Sequence, residues 1–207
     1  MSLSSCQPLS HRKNTIHHPS IRPLPNILID FFALTMGDLL PVRYSPRGHR
    51  TAPELLYFIH KVTSQARISC HIAVVALIYI ERCKEALPRH AVGNQDTAHR
   101  IIVASLLIAS KFLHGTRWAT CQQQPPKENS NSQDEDEDEE VDLRLCADED
   151  KPCWLTNCRM AGICGMYSLE QVNQLERSFL NLIQHRCWVD AGEVQAYLIR
   201  HRQDLLL

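Results

Sequence analysis

The chain has 207 residues, of which 44% are hydrophobic, 22% charged and 6% aromatic. That size suits one domain with tails, and the apolar share is enough for a core, which excludes a wholly disordered chain. No apolar run reaches the roughly 20 residues of a membrane span: 26–42 is broken by Asp30 and Asp38, and 68–80 is too short. The N-terminus lacks a charged start and a small-residue cleavage pattern, so no secretion signal is expected and the chain reads as soluble and intracellular.

The formal net charge of −1 hides an asymmetry. Between Cys121 and Cys153 twelve acids stand against three bases, a local charge of −9, which leaves +8 on the remainder. Blocks of like charge repel and stay solvated, so 121–153 is expected to be an acidic, disordered insert in a mildly basic body.

In chain order, residues 1–25 hold Pro8, Pro19, Pro23 and Pro25 without periodicity and read as a flexible leader. Residues 26–40 space their apolar side chains at helical intervals, with Asn26 as a candidate cap and Pro41 and Pro46 breaking the chain after it. Thr51-Ala-Pro-Glu predicts the next helix start: a capping threonine, a first-turn proline and Glu54 three residues on. Leu55, Phe58, Ile59, Val62 and Ala66 then follow a three-four spacing. A helix over 70–87 is apolar on most faces until Glu81-Arg82, and Pro88 ends it. Another starts at Asp96-Thr97 and runs to Phe112; apolar all round, it should be the buried hub. Past the insert, 156–166 predicts a short helix and a glycine turn. Ser168 and Gln171 set a capping box for a helix striped by Val172, Leu175, Phe179, Leu182 and Ile183, and 193–206 predicts a last amphipathic helix. No strand alternation is evident, so the fold class is all-α.

Enzyme signatures are missing. The seven glycines are scattered, and neither HExxH nor GxSxG occurs. His71, His99 and His185 fall on helix faces, where packing, capping or exposure explains them. The nine cysteines include no CxxC pair, and the cluster Cys146, Cys153, Cys158, Cys164 is not spaced as a pair of zinc hooks. No metal or cofactor is expected, and the thiols, Cys70 and Cys83 among them, should be reduced and mostly buried. The charges that stand out are Lys111, which follows the apolar run Ile108-Ala-Ser, and Glu176, beside Leu175 and near Phe179. A lone buried charge is costly, so either these two snorkel or pair with each other, or they rim a surface meant for a partner.

The run Thr97-Ala-His-Arg-Ile-Ile-Val-Ala-Ser-Leu-Leu-Ile-Ala-Ser-Lys-Phe-Leu-His, followed by Thr116-Arg-Trp, resembles the third helix of a cyclin box. Tyr79-Ile-Glu-Arg resembles the end of that family's second helix. Residues 156–180, with Asn157 and the element Asn-Gln-Leu-Glu-Arg-Ser-Phe-Leu, resemble its fourth and fifth. The likeness is strongest to fungal phosphate-signalling and G1 cyclins. It implies a five-helix cyclin box over 51–190, interrupted by the insert, with the 26–40 helix before it and the 193–206 helix after it. It also implies a non-catalytic regulatory subunit of a cyclin-dependent kinase, in nucleus and cytoplasm, with kinase substrates and inhibitor proteins as further partners. Lys111 and Glu176 would then bind the kinase, while Glu81, Arg82, Phe112, Asn157 and Phe179 would build the box. Glu81 stands where the family has aspartate, and Ala52 falls near the family's first-helix arginine. The other readings are a nucleic-acid-binding cyclin-fold protein, which the single box and weakly basic body make unlike this chain, and an inert scaffold.

The insert is either a retained intron or a regulatory loop, in which Ser132 before Gln-Asp-Glu suits an acid-directed kinase. Closure entropy grows only with the logarithm of loop length, so some 30 extra residues should cost on the order of 1–2 kcal/mol. Deleting Cys121–Cys153 is therefore expected to keep the helical circular dichroism and slightly raise the urea midpoint; a variant that fails to fold would contradict this reading.

Overall fold

From Ile101 to Ser110 every side chain is buried, a decade of sequence with no face left for water. A helix of that composition is stable only inside a cage of other helices. The computed structural model describes residues 23–39, 41, 52–121 and 155–206, and over 116–121 the backbone alone. Among these it holds seven helices and no strand: α1 (Asn26–Gly37), α2 (Leu55–Gln65), α3 (Cys70–Ala86), α4 (Thr97–Cys121), α5 (Asn157–Cys164), α6 (Leu169–Leu182) and α7 (Ala191–Arg200). The protein is all-α. Residues 1–22 of the leader, most of the acidic insert, Ser132, Cys146 and Cys153 lie outside the described residues, whereas Leu24, expected in the flexible leader, is buried against the core.

The buried stretch belongs to α4, which packs most extensively on α3, then on α6, with α2 and α5 on its remaining sides. It is the hub its composition predicts. Helix α3 is the second wall: Ile72 to Ile80 is buried without a break. The amphipathic α6 turns Val172 and Phe179 into the core and is started by the expected capping box, in which Ser168 accepts from Gln171 N–H and the Gln171 side chain accepts from Ser168 N–H. Helix α1 lies against α2, and α7 against α3.

Several boundaries depart from expectation. Asn26 does not cap α1; it is the first helical residue, after Pro25 at the cap. Helix α2 starts at Leu55 rather than just after Thr51, with Glu54 at the cap and no side-chain bond there. The reason is Pro53, which disfavours helical geometry at Ala52 and whose carbonyl accepts from His99 Nε2 (2.9 Å). Helix α4 does not stop at Phe112 but runs on to Cys121, so Lys111 lies inside it. Helix α7 starts two residues early, where Asp190 accepts from Glu193 N–H (2.8 Å), and ends at Arg200 in turns. The expectation of mostly buried thiols also fails in part. Cys83 and Cys164 are buried, and burial pushes both thiols up to about 11, but Cys70 and Cys158 are exposed in the first turns of their helices.

The stretch from α6 to α7 is held down by α3. The Tyr79 hydroxyl donates to the Cys187 carbonyl (2.6 Å), and the Arg82 guanidinium donates to the carbonyls of Arg186 and Trp188 and to Glu193 Oε1 (2.5 Å). These bonds fix a segment in which Gln184 and His185 both take left-handed φ of 55°, a conformation that costs a non-glycine residue about 1 kcal/mol or more. Glu81 accepts from Arg200 (2.6 Å), which ties α3 to α7.

His99 gives the fold a pH dependence. It is 4% exposed, its ring lies edge-on to Phe58, and burial lowers its pKa below the ordinary value. Burial outweighs the Nε2–H bond to the Pro53 carbonyl, which favours the charged ring, and so the native state disfavours protonation. The unfolded chain therefore takes up this proton first, so the contribution of His99 is intact above about pH 6.5 and is lost as pH falls below it. Urea titrations at pH 7.5 and 5.5 should show a stability loss that is smaller in His99→Gln; equal losses in both would exclude His99 as the source. Arg82→Ala should cost about 1–2 kcal/mol by the same assay, since it removes three hydrogen bonds whose acceptors water can still reach.

Candidate functional site

Lys111 is the first residue of α4 to reach solvent after the buried decade, and that position follows from the packing. The cage of α2, α3, α5 and α6 closes around 101–110 and opens just beyond. The Lys111 side chain is 42% exposed and its Nζ donates to Glu176 Oε1 at 2.6 Å. Glu176 stands on α6, one turn before the buried Phe179, and its side chain is 16% exposed. The amphipathic pattern of α6 thus puts a carboxylate at the border of its apolar stripe, where it half enters the core.

The third member comes from α5. Thr156 caps this helix by accepting from Arg159 N–H (3.2 Å), and the buried Leu155 and Met160 seat it on the core. Gly165, at φ 67°, ends it with the left-handed residue that the glycine turn needs. Asn157 is thereby fixed at the first helical position, and its Nδ2 donates to Glu176 Oε2 (2.7 Å) and to Asn173 Oδ1 (2.6 Å). Both oxygens of Glu176 are engaged in the free chain. Beside this cluster Lys111, His114, Leu155, Thr156 and Asn157 line a small, mainly apolar recess of about 180 Å³. The arrangement holds no nucleophile–base pair, and among the described residues no three His, Cys, Asp or Glu stand close enough to hold a metal ion. What it offers is a paired cation, a carboxylate held at both oxygens and an apolar notch.

The other singled-out residues lie elsewhere. Glu81 and Arg82 belong to the α3–α7 clasp, along an open cleft of about 510 Å³ that Trp188 and Glu193 also line. Phe112 meets Trp188 edge-on, ring centres 6.0 Å apart, and Trp188 is 71% exposed. Phe179 is core. His71 and His185 are exposed, with His185 against Asn181 Oδ1 (3.1 Å). Asn173 and Trp188 were not foreseen. Asn173 had a signal, since it precedes Glu176 by three residues and so shares its helix face; Trp188, between Cys187 and Val189, had none.

The helices of the described residues, packed round one buried hub helix with this polar cluster at its exit, meet their family at this point. The family model described as "Cyclin, N-terminal domain" matches residues 43–187, and the chain belongs to that family. It is similar to PHO85 cyclin-9 of Saccharomyces cerevisiae, 25% identical over 95 residues, which cover 45% of this chain and 31% of that protein. It is also similar to PHO85 cyclin-1 of the same yeast, 33% identical over 60 residues, 29% of this chain and 22% of that one. The matched regions span less than a third of the length of these relatives. No solved structure matches the chain.

An ion pair with one partner 42% exposed contributes little to folding. Lys111→Met is therefore expected to lower the stability of the free chain by less than about 1 kcal/mol in urea unfolding. A loss of several kcal/mol would show that the pair braces the box instead of presenting a surface.

Proposed function

We propose that the chain is the regulatory subunit of a cyclin-dependent kinase of the Pho85 type, and that Lys111 and Glu176 are its kinase contacts. The single observation that carries this reading is the cluster itself: a cation and a carboxylate from α4 and α6, fixed by Asn157 at the edge of an apolar recess, in a chain of the cyclin family. The names of the yeast relatives support the kinase type.

On this reading the chain does no chemistry. Phosphoryl transfer belongs to the kinase, in which a lysine–glutamate ion pair must be assembled before the phosphates are positioned. The cyclin binds the arrangement with that pair formed more tightly than the one without it, and the difference in affinity shifts the population toward the active form. A Lys111 ammonium and a Glu176 carboxylate suit this task because they can satisfy backbone carbonyls and N–H groups of a partner helix in register, while the recess takes an apolar side chain. The kinase would carry phosphate, nutrient or cell-cycle signals in nucleus and cytoplasm, with its substrates and inhibitors recruited to the complex.

Lys111→Ala and Glu176→Ala should each weaken binding of the purified kinase by about 2–4 kcal/mol, as truncation of a central contact does. Isothermal titration checks the affinity, and circular dichroism checks that the free variants stay folded. Folded variants that bind as tightly as the parent would overturn the assignment of these two residues.

A further inference from the structure

Lys111 and Glu176 explain a charge pair but not why Glu176 should point where a partner needs it. A glutamate has three rotatable side-chain bonds, and freezing them on binding costs entropy if nothing holds them beforehand. Here something does. Glu176 Oε1 accepts from Lys111 Nζ at 2.6 Å and Oε2 from Asn157 Nδ2 at 2.7 Å, so the carboxylate is gripped at both oxygens. The Asn157 amide is itself held: its second N–H goes to Asn173 Oδ1 at 2.6 Å. A carboxylate only accepts, which fixes the way the Asn157 amide must face. Asn157 therefore bridges α5 to α6 with both of its N–H groups, and Asn173 locks the bridge from one turn before Glu176.

We propose that Asn157, backed by Asn173, is a positioning residue for the partner-binding site: it holds the Glu176 carboxylate in its binding orientation before the partner arrives. This rests on the kinase-docking reading above. Asn157 need not touch the kinase for the effect. Its contribution is the ordering done in advance, which a partner otherwise has to supply at the moment of association. The same bridge explains why a helix as short as α5, with eight residues, can carry a functional side chain. Its cap, its glycine end and its buried Leu155 and Met160 leave Asn157 with one position.

A double-mutant cycle on the full chain, titrated with a purified Pho85-type kinase, tests this. Asn157→Ala should weaken binding about tenfold in the parent, the effect expected when a bonded, partly buried carboxylate loses one donor. In a Glu176→Ala background the same change should do nothing further, because there is no carboxylate left to position. Asn173→Ala, which leaves Asn157 in place, should weaken binding about threefold and show the same silence in the Glu176→Ala background. An equal loss in both backgrounds, or no loss in either, overturns the positioning role while leaving the docking reading intact, provided Glu176→Ala alone is weak. If Lys111→Ala and Glu176→Ala both bind as the parent does, the docking reading fails and the positioning role falls with it.

Discussion

The constraint on which this molecule depends is the complete burial of one helix. Ile101 to Ser110 expose nothing, so α4 has to be surrounded, and α2, α3, α5 and α6 have little freedom in how they surround it. Interiors pack to near-crystalline density, and a ten-residue cylinder with no polar face leaves few arrangements that avoid voids. The candidate site follows from the same constraint. The cage has an end, and Lys111 is the residue that emerges there, with its ammonium paired to Glu176.

Around that exit the chain spends its polar groups sparingly and pairs them. Lys111, Glu176, Asn157 and Asn173 form one connected set drawn from three helices. A second set, Tyr79, Arg82 and Glu193, pins the turn between α6 and α7 against α3. The two sets divide the labour. The second keeps the C-terminal end of α6 at a fixed height despite the left-handed backbone at Gln184 and His185. The first then meets α4 in register, because α6 is clamped at its far end and capped at its near one.

Much of this was legible in the sequence. The helical class, the hub helix and the capping box follow from apolar periodicity and short-range chemistry, which a linear reading captures. The short helix before Gly165 was legible too, since a threonine cap and a lone glycine bracket it. The misplaced boundaries have tertiary causes. Helix α2 starts late because Pro53 gives its carbonyl to His99, 46 residues away, and no local rule contains that bond. Helix α4 passes Lys111 because a charged residue at the edge of a cage does not end a helix. Glu81 stands where the family has aspartate, and its carboxylate accepts from Arg200 on α7, a partner 119 residues away. Distant partners such as these are what sequence spacing cannot supply, whereas the Asn173–Asn157–Glu176 chain was half visible, since two of its members share a helix face.

The proposed role is to bind a kinase at the exit of the buried helix and to move that kinase toward its active form. The most direct measurement is reconstitution: a fixed amount of purified, inactive Pho85-type kinase is titrated with the purified chain while phosphate transfer from ATP to a peptide is followed. Activity should rise with added chain and saturate at one chain per kinase, with none in either component alone. A flat response across the titration, with the chain folded and the kinase activated by another cyclin in parallel, would contradict it.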